Sequence, residues 1–316
     1  MKIENAHFSL DTVSSNDIFV GALGFDERSF YLLNKMYQRV NRENILIFSF
    51  DLLVNARKDT PMSSEIASLY NGISFQSATY NDYALAEKVI KGFISQRIAD
   101  NENAVSIHID YSSMPRKWYC SFPNALLPVV RKKDSLLFWY VDGEYPDDYI
   151  NYPSAGIHSF VHFSGKPTLR SNSKRLHVIS LSYDIIRTQA TISLLDPDSI
   201  VMCAAYDSRN DTILDNVISI NKEIRPYANM FVTLQMDDFE FMVAKLCEIA
   251  NEYVSDGDVV FVPDGPKPLI FAESLVPTIL NNNGISCLHI IRNNRFFNPV
   301  EVLPTENIIG VCFRKD

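Results

Sequence analysis

The chain lacks any long apolar run, and its cysteines are few and scattered. No stretch of its 316 residues approaches the roughly 20 consecutive apolar residues that span a bilayer. The amino terminus has no apolar signal-peptide core. The five cysteines show no zinc-like spacing, and their odd number argues against a disulfide framework. These absences predict a cytoplasmic protein that makes no membrane contact.

Positive charge is also scarce. The 29 Lys and Arg residues are outnumbered by 38 Asp and Glu residues, which gives a net charge of -9 at pH 7. Proteins that bind the phosphate backbone of long nucleic acids normally carry a basic surface. We therefore expect no direct binding of long nucleic acid, although a local basic pocket for a small anion is compatible with this balance.

Metal-binding and common enzyme motifs are missing from the sequence. Among the six histidines only His158 and His162 have a metal-like spacing, and an ordinary position in a strand is the simpler interpretation. There is no Gly-x-Gly-x-x-Gly, Gly-x-Ser-x-Gly, Walker A or His-Glu-x-x-His motif. Asp51 and Asp207 end strand candidates as ribose-binding acids do, but without the glycine motif they do not indicate an NAD site. We predict no metal and no cofactor.

What the sequence does contain is a regular alternation of buried strands and amphipathic helices. After the first strand, for example, Phe30, Leu33 and Tyr37 recur at helical spacing. Strands that alternate with helices imply a largely parallel sheet and an α/β fold. The strand candidates of the first half lie at 18–23, 45–51, 73–75, 105–110, 135–141 and 157–163.

The second half repeats the landmarks of the first half in the same order. The separations between paired landmarks drift only from 159 to 151 residues along the chain. The pairs are Arg28 and Arg187, Asp51 and Asp207, Asp82 and Asp238, Arg116 and Lys267, and Pro153 and Pro304. This pattern predicts an internal duplication. We expect two tandem Rossmann-like units with mostly parallel sheets, a pseudo-dimer, at 1–165 and 175–316, joined by the polar linker 164–174.

One turn in each half is a candidate for ligand binding. The apolar strand 259–262 stops at Pro-Asp-Gly-Pro-Lys, after which a helix begins. In a functional interpretation Gly265 permits φ > 0 and close backbone approach, and Lys267 meets a phosphate at the helix N-terminus. In the alternative interpretation the segment is an ordinary turn. Its twin in the first half runs from Asp110 to Arg116, and its hydroxyls either bind a ribose or phosphate or cap the helix.

A second pair of turns follows the first strand of each half. Arg28 and Arg187 would contact a phosphate bidentately, while Phe25 and Tyr183 would stack on a base. Alternatively, each arginine forms a salt bridge with the aspartate of its own turn. The complete candidate ligand-binding set is Phe25, Arg28, Ser29, Asp110, Ser112, Ser113, Arg116, Tyr183, Arg187, Thr188, Asp264, Gly265 and Lys267.

This layout resembles a known group of proteins. Tandem Rossmann-like units with a ligand-contacting turn after a central strand resemble CARF (CRISPR-associated Rossmann fold) domains. Two such units in one chain resemble the SAVED sensors of bacterial anti-phage systems. The residues 264–267 are similar to the Gly-Gly-Thr-Lys-like turn of that group, whereas residues 112–116 have no glycine. The resemblance implies that a cyclic or linear oligonucleotide messenger binds in a cleft between the halves, and that a separate effector protein is the partner.

Two other functions stay open on the residues alone. A nucleotide-processing enzyme, either a ring-nuclease-like phosphodiesterase or a nucleosidase, would use Asp110, Ser112, Ser113 and Asp264. A structural subunit would dock a partner protein through its aromatic residues, which make up 12% of the chain. Whether the protein catalyses a reaction is not decided by the sequence.

Overall fold

The fold is α/β, as the sequence predicts. The computed structural model describes residues 1–24, 27–50, 68–79, 81–145, 154, 156–168, 174–210, 212–292 and 302–315. In these ranges there are two mostly parallel sheets, of seven and six strands, and seven α-helices. The chain forms two compact units: unit 1 comprises Met1–Pro146 with Pro299–Asp316, and unit 2 comprises Asp147–Asn298.

The elements follow one another along the chain in a regular β–α order. Short 3₁₀ turns also occur at Leu10–Thr12, Arg42–Asn44 and Arg225–Tyr227. The strands and α-helices are β1 (Lys2–Ala6), β2 (Ile18–Ala22), α1 (Arg28–Tyr37), β3 (Ile45–Phe50), β4 (Ser74–Ala78), α2 (Tyr83–Ala99), β5 (Ser106–Asp110), α3 (Arg116–Leu126), β6 (Ser135–Glu144), β7 (Ile157–Lys166), β8 (Lys174–Ser180), α4 (Ile185–Leu195), β9 (Ser199–Tyr206), α5 (Thr212–Ile220), β10 (Met230–Gln235), α6 (Phe239–Tyr253), β11 (Gly257–Val262), α7 (Lys267–Leu280), β12 (Ile285–Arg292) and β13 (Leu303–Arg314).

The two sheets share one strand order. The sheet of unit 1 runs β1-β13-β6-β5-β2-β3-β4, and the sheet of unit 2 runs β10-β9-β8-β11-β12-β7. Read from the opposite end, the first order becomes β4-β3-β2-β5-β6-β13, so each strand of unit 2 has a counterpart, and β1 is the one addition. In both sheets the strand at the sixth place is antiparallel to its neighbour. The equal topologies support the predicted duplication.

The strands β7 and β13 each join the sheet formed by the other half of the chain. The predicted units end at 165 and begin at 175, so that 157–163 closes the first unit. In the structure β7 pairs instead with β12 in unit 2, with Leu288 opposite His162, and β13 pairs with β6 in unit 1, with Val311 opposite Phe138. The division of the chain therefore differs from the predicted boundaries. A strand's local sequence specifies that it is a strand, whereas its partner is chosen by tertiary pairing.

Burial of the strands explains their apolar sequences. All five residues of β2 are buried, as are five of the six residues of β11, because helices cover both faces of a parallel sheet. Helix α1 buries one face, through Leu32, Leu33 and Met36.

Both tryptophans, Trp118 and Trp139, are buried in unit 1, so tryptophan fluorescence reports on that unit alone. Across the described ranges, no helix has the length and apolar character needed to cross a membrane.

Matched aspartates begin two of the helices. Asp82 accepts a hydrogen bond from the Leu85 amide at 3.0 Å at the start of α2, and Asp238 accepts one from the Phe241 amide at 3.1 Å at the start of α6. A side-chain oxygen at this position satisfies a backbone N–H that the helix itself leaves unpaired. The predicted helix starts at Asp82 and Asp238 are confirmed.

A buried histidine in β8 predicts acid sensitivity of unit 2. Burial, assisted by the nearby Arg175 charge and opposed by Asp198, lowers the pKa of His177 from 6.5 to about 4. Because the pKa of His177 is lower in the folded chain than in the unfolded chain, the contribution of His177 to the free energy of unfolding is fully present above pH 6.5. That contribution is lost as the pH falls toward 4. At about 1.4 kcal/mol per pH unit, we expect His177 to cost about 3 kcal/mol of unfolding free energy over that range.

Urea unfolding at pH 7 and at pH 4, followed by far-UV circular dichroism, measures this loss. His177→Gln has a side chain that does not titrate, so its unit 2 transition should lose about 3 kcal/mol less than the wild type does. An equal pH dependence in the two proteins would show that His177 is not the responsible group.

Candidate functional site

Within each unit the structure brings the two predicted turns to one place. In unit 1 they follow β2 and β5, which are neighbours, and in unit 2 they follow β8 and β11, which are also neighbours. From these two strands the chain continues to neighbours in opposite directions along the sheet, β2 to β3 and β5 to β6 in unit 1, and β8 to β9 and β11 to β12 in unit 2. Each pair of turns therefore flanks a topological switch point. Ligands of open α/β sheets bind outside the carboxyl ends of the strands at such points. The candidate site of each unit lies there.

In unit 2 the centre of this edge is a buried ion-pair network. Arg187 donates from Nε to Oδ2 of Asp264 at 2.6 Å and from Nη1 to Oδ2 of Asp184. The side chains of Arg187 and Asp264 are 5% and 2% exposed. Ser182 donates its hydroxyl to the same Asp264 oxygen at 3.1 Å. These contacts favour the salt-bridge alternative for Arg187, whose guanidinium joins the two turns.

Asp184 also organises the start of α4. Its Oδ1 accepts a hydrogen bond from the Arg187 amide at 2.9 Å, and its Oδ2 accepts one from Ser154 at 2.8 Å. Thr188 is buried and donates its hydroxyl to the carbonyl of Asp184 at 3.3 Å. Tyr183 is half-buried in the same turn. The polar groups of Asp184 and Thr188 thus stabilise the turn itself.

The backbone around Gly265 serves a different purpose from the predicted one. Ser180 Oγ accepts hydrogen bonds from the amides of Asp264 and Gly265 at 2.7 and 3.0 Å, and donates one to Oε2 of Glu273 at 2.8 Å. Gly265 does not adopt positive φ. A Cβ there would lie 3.2 Å from the Ser180 Cβ, so close packing at this turn favours glycine. Because Ser180 already accepts hydrogen bonds from both of these amides, they are not available to an anion, and anion binding at the helix start stays a prediction.

Two helices begin at the switch points without a side-chain cap. Helix α3 begins at Arg116 after Pro115, and helix α7 begins at Lys267 after Pro266; neither proline can cap the helix with its side chain. Arg116 and Lys267 are both half-buried. The N-terminus of a helix carries a partial positive charge and attracts anions. The same arrangement, with a cation at the first helical position, therefore occurs in both units.

In unit 1 the twin turn is held by its own polar groups. Ser112 donates its hydroxyl to Oδ1 of Asp110 at 2.5 Å and accepts a hydrogen bond from the Val141 amide at 2.8 Å. Asp110 and Ser112 are buried. Ser113 packs against Gly24, where a Cβ would lie 2.5 Å from that of Ser113. The buried Ser113 hydroxyl has no hydrogen-bond partner within the described part of the chain.

Arg28 lies among aromatic side chains at the start of α1. Its Nη1 donates to the hydroxyl of Tyr140 at 3.2 Å, and its guanidinium lies 5.9 and 5.7 Å from the ring centroids of Tyr140 and Tyr145. Burial raises the pKa of Tyr140 well above 10, so that hydroxyl stays protonated. Arg28 and the adjacent Ser29 are both buried. Phe25, the predicted stacking residue, lies outside the described residues.

Sequence reasoning missed three residues of the unit 2 edge: Ser180, Glu273 and Arg292. Arg292 ends β12, the strand next to β11, and its Nη2 lies 3.6 Å from Oδ1 of Asp264. Its side chain is 44% exposed. The sequence feature that could have indicated Arg292 is a cation at the end of a strand. The counterpart strand β6 ends at Glu144, so Arg292 has no matching cation in the first half of the chain.

No protein-family model matches the chain, and no curated protein matches it. Among solved structures it is similar to a type III CRISPR defence DNA nuclease activated by cyclic oligoadenylate, with a TM-score of 0.50 and 7% sequence identity. The alignment covers 92% of this chain and 68% of the nuclease chain. A second similar structure is the cytoplasmic domain of a prokaryotic cation chloride cotransporter, at 7% identity over 88% of this chain and 96% of that one. The TM-score of 0.24 for the cotransporter domain is too low to indicate a shared fold. The similarity to the nuclease, at 7% identity, concerns the fold alone.

Proposed function

We propose that this chain is a nucleotide-sensing module that binds a cyclic or linear oligonucleotide messenger in a bacterial anti-phage defence system. The observation that carries the proposal is the repeated helix start at the switch points. Arg116 and Lys267 each lead an uncapped helix at the carboxyl edge of a parallel sheet. Each of these positions offers a cation beside the positive end of a helix, which suits a phosphate group.

Local charge supports an anionic ligand although the whole chain carries a net charge of -9. At the edge of unit 2, the cations Arg187, Lys267 and Arg292 equal in number the carboxylates Asp184, Asp264 and Glu273, so this edge is less negative than the chain as a whole. The surrounding negative charge would repel long polyanions while this edge attracts a small one. The similarity in fold to a nuclease that is activated by cyclic oligoadenylate is consistent with a ligand of this class.

The structure gives less support to a nucleotide-processing enzyme. Three of the four residues it would use, Asp110, Ser112 and Asp264, are buried and already hydrogen-bonded to other groups of the protein. A general acid or base must reach the substrate within hydrogen-bond distance. We therefore favour a sensing function over a catalytic one. We propose that a separate effector protein responds to the bound messenger. Co-purification from the native cell would test for that partner.

Isothermal titration with cyclic di-, tri-, tetra- and hexanucleotides and their linear forms tests the proposal. We expect Arg116→Ala and Lys267→Ala each to weaken binding about 10- to 100-fold, since a hydrogen bond to a charged group contributes about 1.5–3 kcal/mol. Lys245→Ala is the matched control, because Lys245 is a part-exposed lysine of unit 2 that pairs with Glu248 on α6 at 2.9 Å.

Lys245→Ala should bind as the wild type does, and the ligand should be recovered intact after long incubation. Failure of the wild type to bind any nucleotide would refute the proposal, as would normal binding by both test variants. Conversion of the ligand would favour the enzyme.

A further inference from the structure

We infer that Ser180 and Glu273 are positioning residues that fix the start of α7, and with it Lys267, for the ligand; this inference rests on the proposed function. Ser180 is the last residue of β8, and Glu273 lies in α7. Both are fully buried, so neither contacts the ligand itself. The two side chains act through the turn at 263–266, which leads from β11 into α7.

One hydroxyl group joins three elements of unit 2. Ser180 Oγ accepts hydrogen bonds from the amides of Asp264 and Gly265 at 2.7 and 3.0 Å. Because both of these partners are donors, the hydroxyl proton is left for Glu273, and Ser180 donates it to Oε2 at 2.8 Å. The end of β8, the turn and helix α7 are therefore held by the same oxygen atom.

Fixing these two amides also fixes where α7 begins. Gly265 is followed by Pro266, whose φ of -66° is set by its ring, and Lys267 is the first residue of the helix. The path from the anchored Gly265 amide to Lys267 thus has little freedom to rotate. The hydroxyl of Ser180 consequently sets the position of the cation and of the helix N-terminus beside it. A ligand that meets a preorganised cation binds without the free-energy cost of ordering that cation.

The twin unit shows that this fold does not need a polar pair here. The last residue of β2, the counterpart of β8, is Ala22. Phe122 occupies the place in α3 that Glu273 has in α7, and both Ala22 and Phe122 are buried. A buried carboxylate is costly to desolvate, and an apolar pair on the same elements avoids that cost. The polar pair is therefore not a requirement of the strand–turn–helix architecture, which favours a function in the unit 2 turn.

Ser274 provides a matched control in the same helix. It is a buried serine like Ser180, and its hydroxyl donates to the carbonyl of Ile270 at 2.7 Å and lies 3.0 Å from Nε2 of His289. These contacts join α7 to itself and to β12 and do not involve the turn. Ser180→Ala and Ser274→Ala thus each remove a buried, hydrogen-bonded hydroxyl, and the first of them releases the turn.

The test is isothermal titration of the full chain with cyclic and linear oligoadenylates of three to six nucleotides. We expect Ser180→Ala to weaken binding about 10-fold and Ser274→Ala to bind within about twofold of the wild type. Glu273→Gln keeps a carbonyl acceptor for the Ser180 hydroxyl and should retain most of the affinity. Glu273→Leu removes the acceptor and should lose as much affinity as Ser180→Ala.

A double-mutant cycle shows whether the pair acts through Lys267. Once the ammonium group is absent its placement no longer matters, so Ser180→Ala/Lys267→Ala should bind within about twofold of Lys267→Ala alone. A general loss of stability would instead multiply the two effects. Far-UV circular dichroism at the titration temperature checks that each variant is folded. Ser180→Cys, whose thiol has a similar shape but is a weak hydrogen-bond partner, replaces Ser180→Ala if that variant is unfolded.

Equal losses in Ser180→Ala and Ser274→Ala would overturn the inference, since they would reflect the loss of any buried hydroxyl. Wild-type affinity in Ser180→Ala, or two effects that multiply in the double variant, would overturn it as well. A loss in Glu273→Gln as large as that in Glu273→Leu would refute the role of Glu273. The wild type binds in each of these cases, so the proposed function stands. If the wild type binds none of the nucleotides, the proposed function fails and the inference falls with it.

Discussion

Asp264→Ala is expected to destabilise unit 2 by about 3–5 kcal/mol while unit 1 stays folded. The substitution removes the carboxylate that accepts a 2.6 Å hydrogen bond from Arg187, whose side chain is only 5% exposed. Asp184 would then be the remaining carboxylate beside a buried guanidinium. A buried charge that loses one partner keeps its desolvation cost, which is why the effect is large.

Urea titration with two signals measures this effect. Tryptophan fluorescence follows unit 1, which contains both tryptophans, while far-UV circular dichroism follows both units. We expect the dichroism transition of unit 2 to move to lower urea and the fluorescence transition to stay in place. Asp256→Ala is the control, because Asp256 is an exposed aspartate of unit 2. An equally small shift in both variants would contradict a structural role for Asp264.

This result also affects how activity data would be interpreted. If an Asp264 variant lost turnover or binding, unfolding of unit 2 would be a sufficient explanation. Asp264→Asn separates the two effects, because the amide keeps an acceptor for Arg187 but loses the charge. Functional tests at this edge are therefore cleaner at Lys267 and Arg292, whose side chains are less buried than those of Arg187 and Asp264.

Phe313→Ala should destabilise unit 1 by about 3–5 kcal/mol, although the residue lies at the far end of the chain. Phe313 is fully buried in β13, opposite Leu136 of β6, and its ring meets that of Phe138 edge-on at 5.4 Å. Truncating a buried phenylalanine loses its transfer free energy and leaves a cavity that the surrounding residues fill only in part. The fluorescence transition should move to lower urea.

The same experiment distinguishes the two divisions of the chain. The sequence places Phe313 in the second unit, in which case fluorescence would be unchanged and only the circular dichroism would respond. Phe163→Ala is the reciprocal variant: the sequence places Phe163 in the first unit, but its ring stacks on His289 of β12 at 4.1 Å. We expect it to affect unit 2. Responses opposite to these in both variants would refute the strand assignment of β7 and β13.

Much of the fold could be predicted because its signals are local. The alternation of apolar strands and amphipathic helices specifies the α/β class, since each element's burial pattern repeats within a few residues. Asp82 and Asp238 mark helix starts because a cap acts on an amide three residues away. The Pro-cation pairs at 115–116 and 266–267 likewise predict the starts of α3 and α7.

The meeting of the two predicted turns within each unit could be expected from the sequence, because the carboxyl ends of neighbouring parallel strands meet at one edge. That a ligand binds at this edge stays a prediction. The contacts of individual side chains could not be predicted from the sequence. Arg187 has carboxylates both three and 77 residues away, and the sequence cannot say which of them it will meet. Gly265 looks the same in a sequence whether it supplies positive φ or fits a tight space beside Ser180.

By itself, then, the sequence determined most of the strands and helices, their repetition and the turns that form the candidate site, because periodicity and capping act over a few residues. Only the tertiary structure decided which sheet β7 and β13 join, that Asp264 and Ser180 stabilise the turn, and that Arg292 reaches the same edge. Strand partners and buried ion pairs join residues that are distant in the chain. Their choice depends on which groups the folded units bring together and bury, and no local pattern encodes that.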